Sequence, residues 1–452
     1  MRILEWSSLD AAGRRAALAR PALPSRRAAE RVARAVIAAV KRDGDAAVRA
    51  FTERFDRVRL GSFAVLPDEL AAARATLRTE EIAALERAIA NVQRFHQAQA
   101  PKPLLLETEP GIRCEQLIRP IEAVGLYVPA GSAPLPSAVV MLAVPARIAG
   151  CARRVLCTPP RSDGSAHPGV LAAAVLCGID QVFTVGGAQA IAALAYGTES
   201  IPRVDKIFGP GNAWVTEAKT IVSRDPQGAA CDLPAGPSEV LVVADRAARA
   251  ELVAADLLAQ AEHDPLAQAL LVTDSRALAE YVAAEIALQC GKLSRSAILA
   301  QSLRSCRAIV VPDLAAGVAV VNEYAPEHLL LQLSQPRRWL GEIRNAGAIF
   351  IGPWSAEPLG DYCAGPNHVL PTYGHARTVS GLSVRDFVKT MSVQELSPAG
   401  LRALGPTAVT LAGLEGLDGH GQAVTRRLAV LDAASAPDGL ACRPFAVAGA
   451  ES

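Results

Sequence analysis

Histidine is scarce in this sequence, seven residues in 452, so a histidine standing beside another donor narrows the chemistry. His263 follows Gln260 by three residues at the end of an Ala/Leu-rich run that Pro265 stops. Residues at i and i+3 share one helix face, so the amide oxygen and the imidazole can reach one ion. The same spacing also suits an exposed helix-end imidazole beside Asp264. Glu327 and His328 are adjacent, between a helical run ending near Tyr324 and the apolar run Leu329–Leu333. An acid beside an imidazole at a strand entrance can divide proton transfers, because environment pushes their pKa values apart. A helix-terminus charge pair is the competing reading. Asp361, in Gly360-Asp361-Tyr362, offers hard oxygen to a metal from a Gly/Pro-rich stretch that continues through Gly365-Pro366-Asn367-His368. Glu415 and His420 lie five residues apart among glycines, and serve a site only if that tail folds back on a core, its own or a partner's.

Two glycine turns suggest a second kind of chemistry. Thr184-Val185-Gly186-Gly187-Ala188-Gln189 and Phe208-Gly209-Pro210-Gly211-Asn212 each join an apolar run to a helical one. Backbone N–H groups at a helix start suit a pyrophosphate, and glycine allows close approach. Neither turn matches GxGxxG, so both also read as tight turns without a ligand.

The elements that carry these residues alternate. Helical periodicity runs to about Ala100, where Pro101 and Pro103 end it, with Ser25 as its N-cap. Extended segments follow at Leu104–Glu107 and Ile112–Pro120. From Val124 short apolar strands alternate with ten-residue helices, which predicts βαβ units and parallel sheets. One series spans Val124–Val222; the second runs from Val240–Ala244 to Ala348–Ile351 and includes helices at Arg249–Ala261 and Arg338–Asn345. The last ~70 residues show no strand periodicity and read as a helical appendage. Parallel sheets bind ligands beyond the carboxyl ends of their strands, so the segments after strands are the expected site.

Composition excludes several classes. Lys and Arg number 46 against 45 Asp and Glu, so the basic excess that nucleic acid or an anionic membrane requires is absent. No run reaches ~18 apolar residues unbroken by charge, Pro or Gly. The amino terminus carries Glu5 and no apolar core, unlike a secretory signal. Nine irregularly spaced cysteines without a CxxC pair argue against a disulfide framework. The expectation is a soluble, cytoplasmic α/β protein.

Longer motifs add a family. They are Gly125-Leu126-Tyr127-Val128-Pro129, Gly131-Ser132-Ala133-Pro134-Leu135, Gly186-Gly187-Ala188-Gln189, Gly209-Pro210-Gly211-Asn212 and Leu233-Pro234-Ala235-Gly236-Pro237-Ser238-Glu239. Gln260-Ala261-Glu262-His263-Asp264, Ala325-Pro326-Glu327-His328-Leu329, Gly360-Asp361-Tyr362 and Asn367-His368-Val369-Leu370-Pro371 follow in order. With these the chain resembles histidinol dehydrogenase over nearly all its length beyond the first few dozen residues. The resemblance implies oxidation of L-histidinol to L-histidine through histidinaldehyde, the last step of histidine biosynthesis, with two NAD+ in succession and one zinc per active site. Gln260, His263, Asp361 and His420 are the implied zinc ligands, and Glu327 and His328 the acid/base pair. Tyr127, Gln189 and Asn212 match NAD-contacting positions. Ser238, Glu415, Gln260, His263, His328, Asp361 and His420 match substrate-contacting ones.

The implied fold is two Rossmann-like, aldehyde-dehydrogenase-like α/β domains with helical arms, in a domain-swapped homodimer with shared active sites. The division is an N-terminal arm 1–24, a first α/β domain from 25–123 with 239–380, a second, NAD-contacting domain 124–238, and a C-terminal dimerisation arm 381–452. Two departures stand out: Ala130 in place of a usual glycine, and Ser355-Ala356-Glu357-Pro358 in place of a usual Thr-Pro-Glu, in a loop expected to touch no ligand or base. Competing functions are a thiol-dependent aldehyde dehydrogenase using Cys231 or Cys363, a cofactor-independent zinc hydrolase using Glu327, a non-enzymatic NAD-binding protein, and a dehydrogenase of another amino alcohol.

Overall fold

The computed structural model describes residues 1–22, 26–130, 133–233 and 236–434. Ser25, Gly131-Ser132, Pro234-Ala235 and Cys442 lie outside the described residues. The chain forms two compact units, one from 1–100 with 120–388 and the other from 101–119 with 389–452.

The first unit holds two parallel sheets. Continuous Val/Leu/Ile runs such as Glu239–Ala244, buried along their whole length, are what a strand covered on both faces requires. Each such side chain contributes roughly 1.5–3 kcal/mol on burial. Six strands lie in the order Arg2–Glu5, Arg307–Val310, Gln268–Thr273, Glu239–Ala244, His328–Gln332 and Ala348–Ile351. Five lie in the order Gln181–Thr184, Arg153–Thr158, Ala123–Tyr127, Lys206–Phe208 and Ala230–Cys231. The predicted βαβ series are both present.

Several expectations change. The N-terminal arm is not wholly helical: Arg2–Glu5 pairs in parallel with Arg307–Val310 as a sheet edge. The helix Arg26–Asp56 packs Ala33, Val36, Ile37 and Val40 against Ile191, Leu194 and Val215 of the five-stranded layer. The helix Thr79–Gln99 packs Ile89 and Val92 against Val139 and Leu142 of that same layer. Residues 26–99 thus pack on the five-stranded layer and also meet the later segment, Asn91 Nδ2 donating to the Cys363 carbonyl at 2.9 Å and Asn367 Nδ2 lying 3.3 Å from His96 Nε2. The helix predicted over Arg338–Asn345 is only a short 3-10 turn, Pro336–Trp339.

The second unit contains a strand that was not foreseen. Val388–Leu396 joins Ile112–Pro120 and Leu104–Glu109 in a three-stranded sheet. Almost every residue of Val388–Leu396 is exposed, so no buried face imposes an apolar alternation that a sequence reading could detect. The helices Pro398–Glu415 and Asp418–Ala434 complete the unit. Among the described residues no helix is long and apolar enough to cross a membrane, and the eight described cysteines are free.

Candidate active site

The candidate catalytic residues gather at the amino ends of the six-stranded sheet. His328 is the first residue of its strand, abreast of Val240 on one side and Ala348 on the other. The helix Ala250–Ala261 runs antiparallel to the strands and returns Gln260 and His263 to the same end. The expectation that sites lie beyond carboxyl ends is thus reversed for this sheet. A helix carboxyl terminus, with its partial negative charge, favours a cation there.

One peptide position organises the site. The N–H of Glu239 donates to Glu327 Oε2 at 2.8 Å, and its carbonyl lies 3.2 Å from His328 Nδ1. Glu327 Oε2 and His328 Nδ1 are 3.7 Å apart. The amide of fully buried Gln260 is satisfied when its nitrogen faces His328 Nδ1 at 3.1 Å, the Glu239 carbonyl at 3.1 Å and Glu357 Oε1 at 3.2 Å. That orientation leaves its oxygen for another partner. Asp361 Oδ1 stands 3.5 Å from His328 Nε2, and His368 Nδ1 donates to the Asp361 carbonyl at 2.7 Å.

Glu357 is the correction. Its segment was expected to touch no ligand or base, yet it opens the helix Glu357–Tyr362 and is buried, with Oε1 4.0 Å from His328 Nδ1. Donor atoms of His263, Glu357 and Asp361 lie within 4.8 Å of one another. Glu357 and Asp361 are spaced i,i+4 on that helix and so share a face, the one signal that could have found it. Gly360 lets the helix close on its strand, since a Cβ there would sit 2.5 Å from the Phe350 ring.

Charge is concentrated here. Burial pushes the carboxyls of Glu327 and Glu357 up to about 8. Burial opposes a charged His328, but the Glu327 and Glu357 carboxylates outweigh it and raise the imidazole pKa. Burial would raise Asp361 as well, but the adjacent His328 imidazole holds it below the usual carboxylate range. Burial lowers His263. Glu357 Oε2 and His328 Nε2 are buried and make no hydrogen bond. Buried charges need compensation. His263, Glu357 and Asp361, with the Gln260 amide oxygen beside them, form an N/O donor set that fits a divalent cation such as zinc.

The second cluster sits at the carboxyl ends of the five-stranded sheet, where the glycine turns were expected to act. Tyr127 ends its strand, and its buried hydroxyl accepts from the N–H of Gly187 at 3.1 Å. Gln189, in the helix Gly187–Tyr196, donates to Asp56 Oδ2 at 3.2 Å, while its Oε1 is buried without a partner. Asn212 caps the helix Ala213–Val222, accepting from the N–H groups of Trp214 and Val215 at 3.1 Å each. Gly209 has φ of 120°, and a Cβ there would meet the Tyr127 carbonyl. Asp232 Oδ2 accepts from its N–H at 2.7 Å, and Lys219 pairs with Asp232 and donates to the Gly209 carbonyl. Two helix amino termini beside a glycine turn suit a dinucleotide's phosphates.

The remaining expected residues fall elsewhere. Ser238 is half-buried directly before Glu239, and its carbonyl accepts from the N–H of Gln268 at 3.1 Å. Glu415 ends one helix of the second unit and His420 lies in the next; both side chains are exposed. Cys231 is unsuited to nucleophilic duty, because burial pushes its thiol up to about 12.

The family model described as histidinol dehydrogenase matches residues 18–428. The chain belongs to the histidinol dehydrogenase family. It is 52% identical over 433 residues to histidinol dehydrogenase of Vibrio vulnificus (strain CMCP6), covering 96% of this chain and 100% of that one. It is also 52% identical over 430 residues to histidinol dehydrogenase of Xanthomonas euvesicatoria pv. vesicatoria, covering 95% and 100%. The crystal structure of histidinol dehydrogenase from Elizabethkingia anophelis superposes with a TM-score of 0.92 at 39% identity, over 96% of this chain and 99% of that one. In this histidinol dehydrogenase family enzyme, Glu327, His328 and the donor cluster share one buried site, and the glycine turns lie on a separate sheet.

Proposed function

We propose that this enzyme oxidises L-histidinol to L-histidine through histidinaldehyde, the last step of histidine biosynthesis, in the cytoplasm, with zinc and two NAD+. The observation that carries the reading is the buried Glu327–His328 pair held against the His263, Glu357, Asp361 and Gln260 donors. Gln260, His263 and Asp361 would hold the zinc, with His420 supplied by a second copy of the chain; Ser238 and Glu415 would contact substrate. Bound zinc supplies a template for the substrate's imidazole and amine. Tyr127, Gln189 and Asn212 would hold NAD+, which would supply the hydride acceptor for each oxidation.

His328 takes the alcohol proton as the first hydride departs. His328 then passes that proton to solvent, Glu327 takes a proton from water as it adds to the aldehyde, and the freed His328 removes the hydrate proton in the second oxidation. The exposed leucines of the second unit, Leu411, Leu414 and Leu417, support its role as a dimerisation arm.

The decisive measurement is NADH formed from L-histidinol, with and without a chelator. The expected result is two NADH per histidinol, abolished by the chelator and restored by zinc. Turnover of a different amino alcohol but not histidinol would overturn the substrate assignment. Mixed His263→Asn and His420→Asn subunits, each inactive alone, should regain activity in verified heterodimers; no recovery would refute shared sites.

A further inference from the structure

Arg20 lies far from the catalytic motifs in sequence and outside all of them, yet it reaches the centre of their support. Its Nε donates to Glu239 Oε2 at 2.5 Å and one terminal nitrogen to Glu239 Oε1 at 2.8 Å, a fork that holds both carboxylate oxygens. The same terminal nitrogen donates to the Tyr324 carbonyl at 2.8 Å, and the guanidinium lies 4.0 Å over the Tyr324 ring. The Tyr324 hydroxyl stands 3.1 Å from Glu239 Oε2 and 2.9 Å from Gln268 Oε1. Both Glu239 and Tyr324 are almost fully buried.

These two anchor points flank the acid/base pair. The Glu239 N–H holds the Glu327 carboxylate, and the Glu239 carbonyl faces both His328 Nδ1 and the Gln260 amide. Tyr324 begins the turn that leads to Glu327 through Ala325, a non-glycine residue at φ 53°. Left-handed backbone at such a residue persists only where its surroundings enforce it. Arg20 thus ties the start of the Glu239 strand to the turn that delivers Glu327 and His328. Ala19 and Pro21 fix the arm itself, their carbonyls accepting from Gln268 Nε2 at 3.0 Å and from the Tyr373 hydroxyl at 3.1 Å.

We propose that Arg20 is a positioning residue for the reaction, setting the Glu239 peptide groups that hold Glu327 and His328 in catalytic register. The proposal rests on the reading of Glu327 and His328 as the acid/base pair. A residue that merely anchored the arm would leave turnover intact once the protein was folded.

The test uses the full-length, zinc-loaded enzyme with L-histidinol and NAD+. Arg20→Met should lower kcat about a hundredfold, the scale of a ~1 Å misplacement, with KM for L-histidinol and bound zinc within about threefold of wild type. Arg20→Lys keeps the charge and loses the fork, so it should recover part of that loss. The Arg20→Met, Glu239→Gln double variant should be no slower than Arg20→Met alone, because both changes break one link. A kcat within about threefold of wild type, a loss confined to KM, or multiplicative losses in the double variant would each overturn the proposal. If Arg20→Met does not fold, because it leaves a buried carboxylate unpaired, Arg20→Lys alone must lower kcat about tenfold or the proposal fails. A wild-type enzyme inactive on histidinol would refute the functional reading instead. In that case hydrogen exchange at the Glu239 amide decides: at least about tenfold faster exchange in Arg20→Lys supports the tie, and unchanged exchange refutes it.

Discussion

The two parallel sheets of the first unit are built alike and used at opposite ends. In the six-stranded sheet the polar residues converge on strand starts and on the carboxyl terminus of the helix Ala250–Ala261. In the five-stranded sheet they lie at strand ends and on the amino termini of the helices Gly187–Tyr196 and Ala213–Val222. Those two termini carry opposite partial charges, so one end suits a cation and the other a phosphate. The polar groups are also spent differently. At the first site carboxylates exceed their partners, and Glu357 keeps a buried oxygen without a hydrogen bond. At the second, Asn212 and Asp232 are committed to backbone N–H groups, and the Tyr127 hydroxyl accepts one as well. The first cluster is left with unbalanced charge, whereas in the second the orphaned buried atom is the neutral Gln189 Oε1.

That contrast breaks first, and most severely, at His328. His328→Asn should lower kcat for L-histidinol by about 10³- to 10⁴-fold with little change in NAD+ affinity. Steady-state NADH formation with a separate NAD+ titration checks both halves, and a parallel loss of NAD+ binding would contradict the division of labour. Glu327→Gln should slow aldehyde-to-acid conversion about 10²-fold while sparing the alcohol step. Half-reactions started from histidinaldehyde and from histidinol tell the two apart, and equal losses would refute the split.

Glu357 sharpens the comparison next. Glu357→Gln should weaken zinc about 10- to 100-fold, the usual effect of losing a group that orients ligands, as read by metal titration against a competing chelator. Unchanged affinity would remove Glu357 from the metal site.

The smallest effect concerns Asp56, beside Gln189 in the second cluster. Burial raises its carboxyl to about 6, whereas an unfolded Asp titrates near about 4. The folded state therefore binds this proton more tightly than the unfolded chain, so stability falls as pH rises from about 4 to about 6 and stays reduced above that. Asp56→Asn removes the titration. It should raise stability above pH 6 by about 1 kcal/mol, discounted for partial exposure, and change little near pH 4. Thermal unfolding at the two pH values measures it, and a gain at low pH alone would reverse the sign.

Much of this was legible in the residues. Alternating apolar runs announced both parallel sheets, because a doubly covered strand leaves few choices of side chain. The i,i+3 spacing of Gln260 and His263 and the adjacency of Glu327 and His328 brought these four residues forward as candidates before any fold was known. The strand Val388–Leu396 was not legible, because its residues are exposed and carry no periodic constraint. Nor was the packing of 26–99 on the five-stranded layer, since amphipathic helices show that they bury a face without showing which sheet receives it. Glu357 and Arg20 were missed for a related reason. Arg20 meets its buried partners across about 200 to 300 residues of sequence, and Glu357 offered only its i,i+4 spacing to Asp361 as a signal.

By itself, then, the sequence determined the alternating strands and helices of the two parallel sheets, which family the chain resembles, and which donors stand close along the chain. Tertiary structure alone decided which end of each sheet carries them, that Glu357 joins the donors, and that Arg20 bears on Glu239. The reason is physical. Local order follows from backbone and side-chain periodicity, which lies along the chain, whereas a buried charge finds its partner only where separate elements meet.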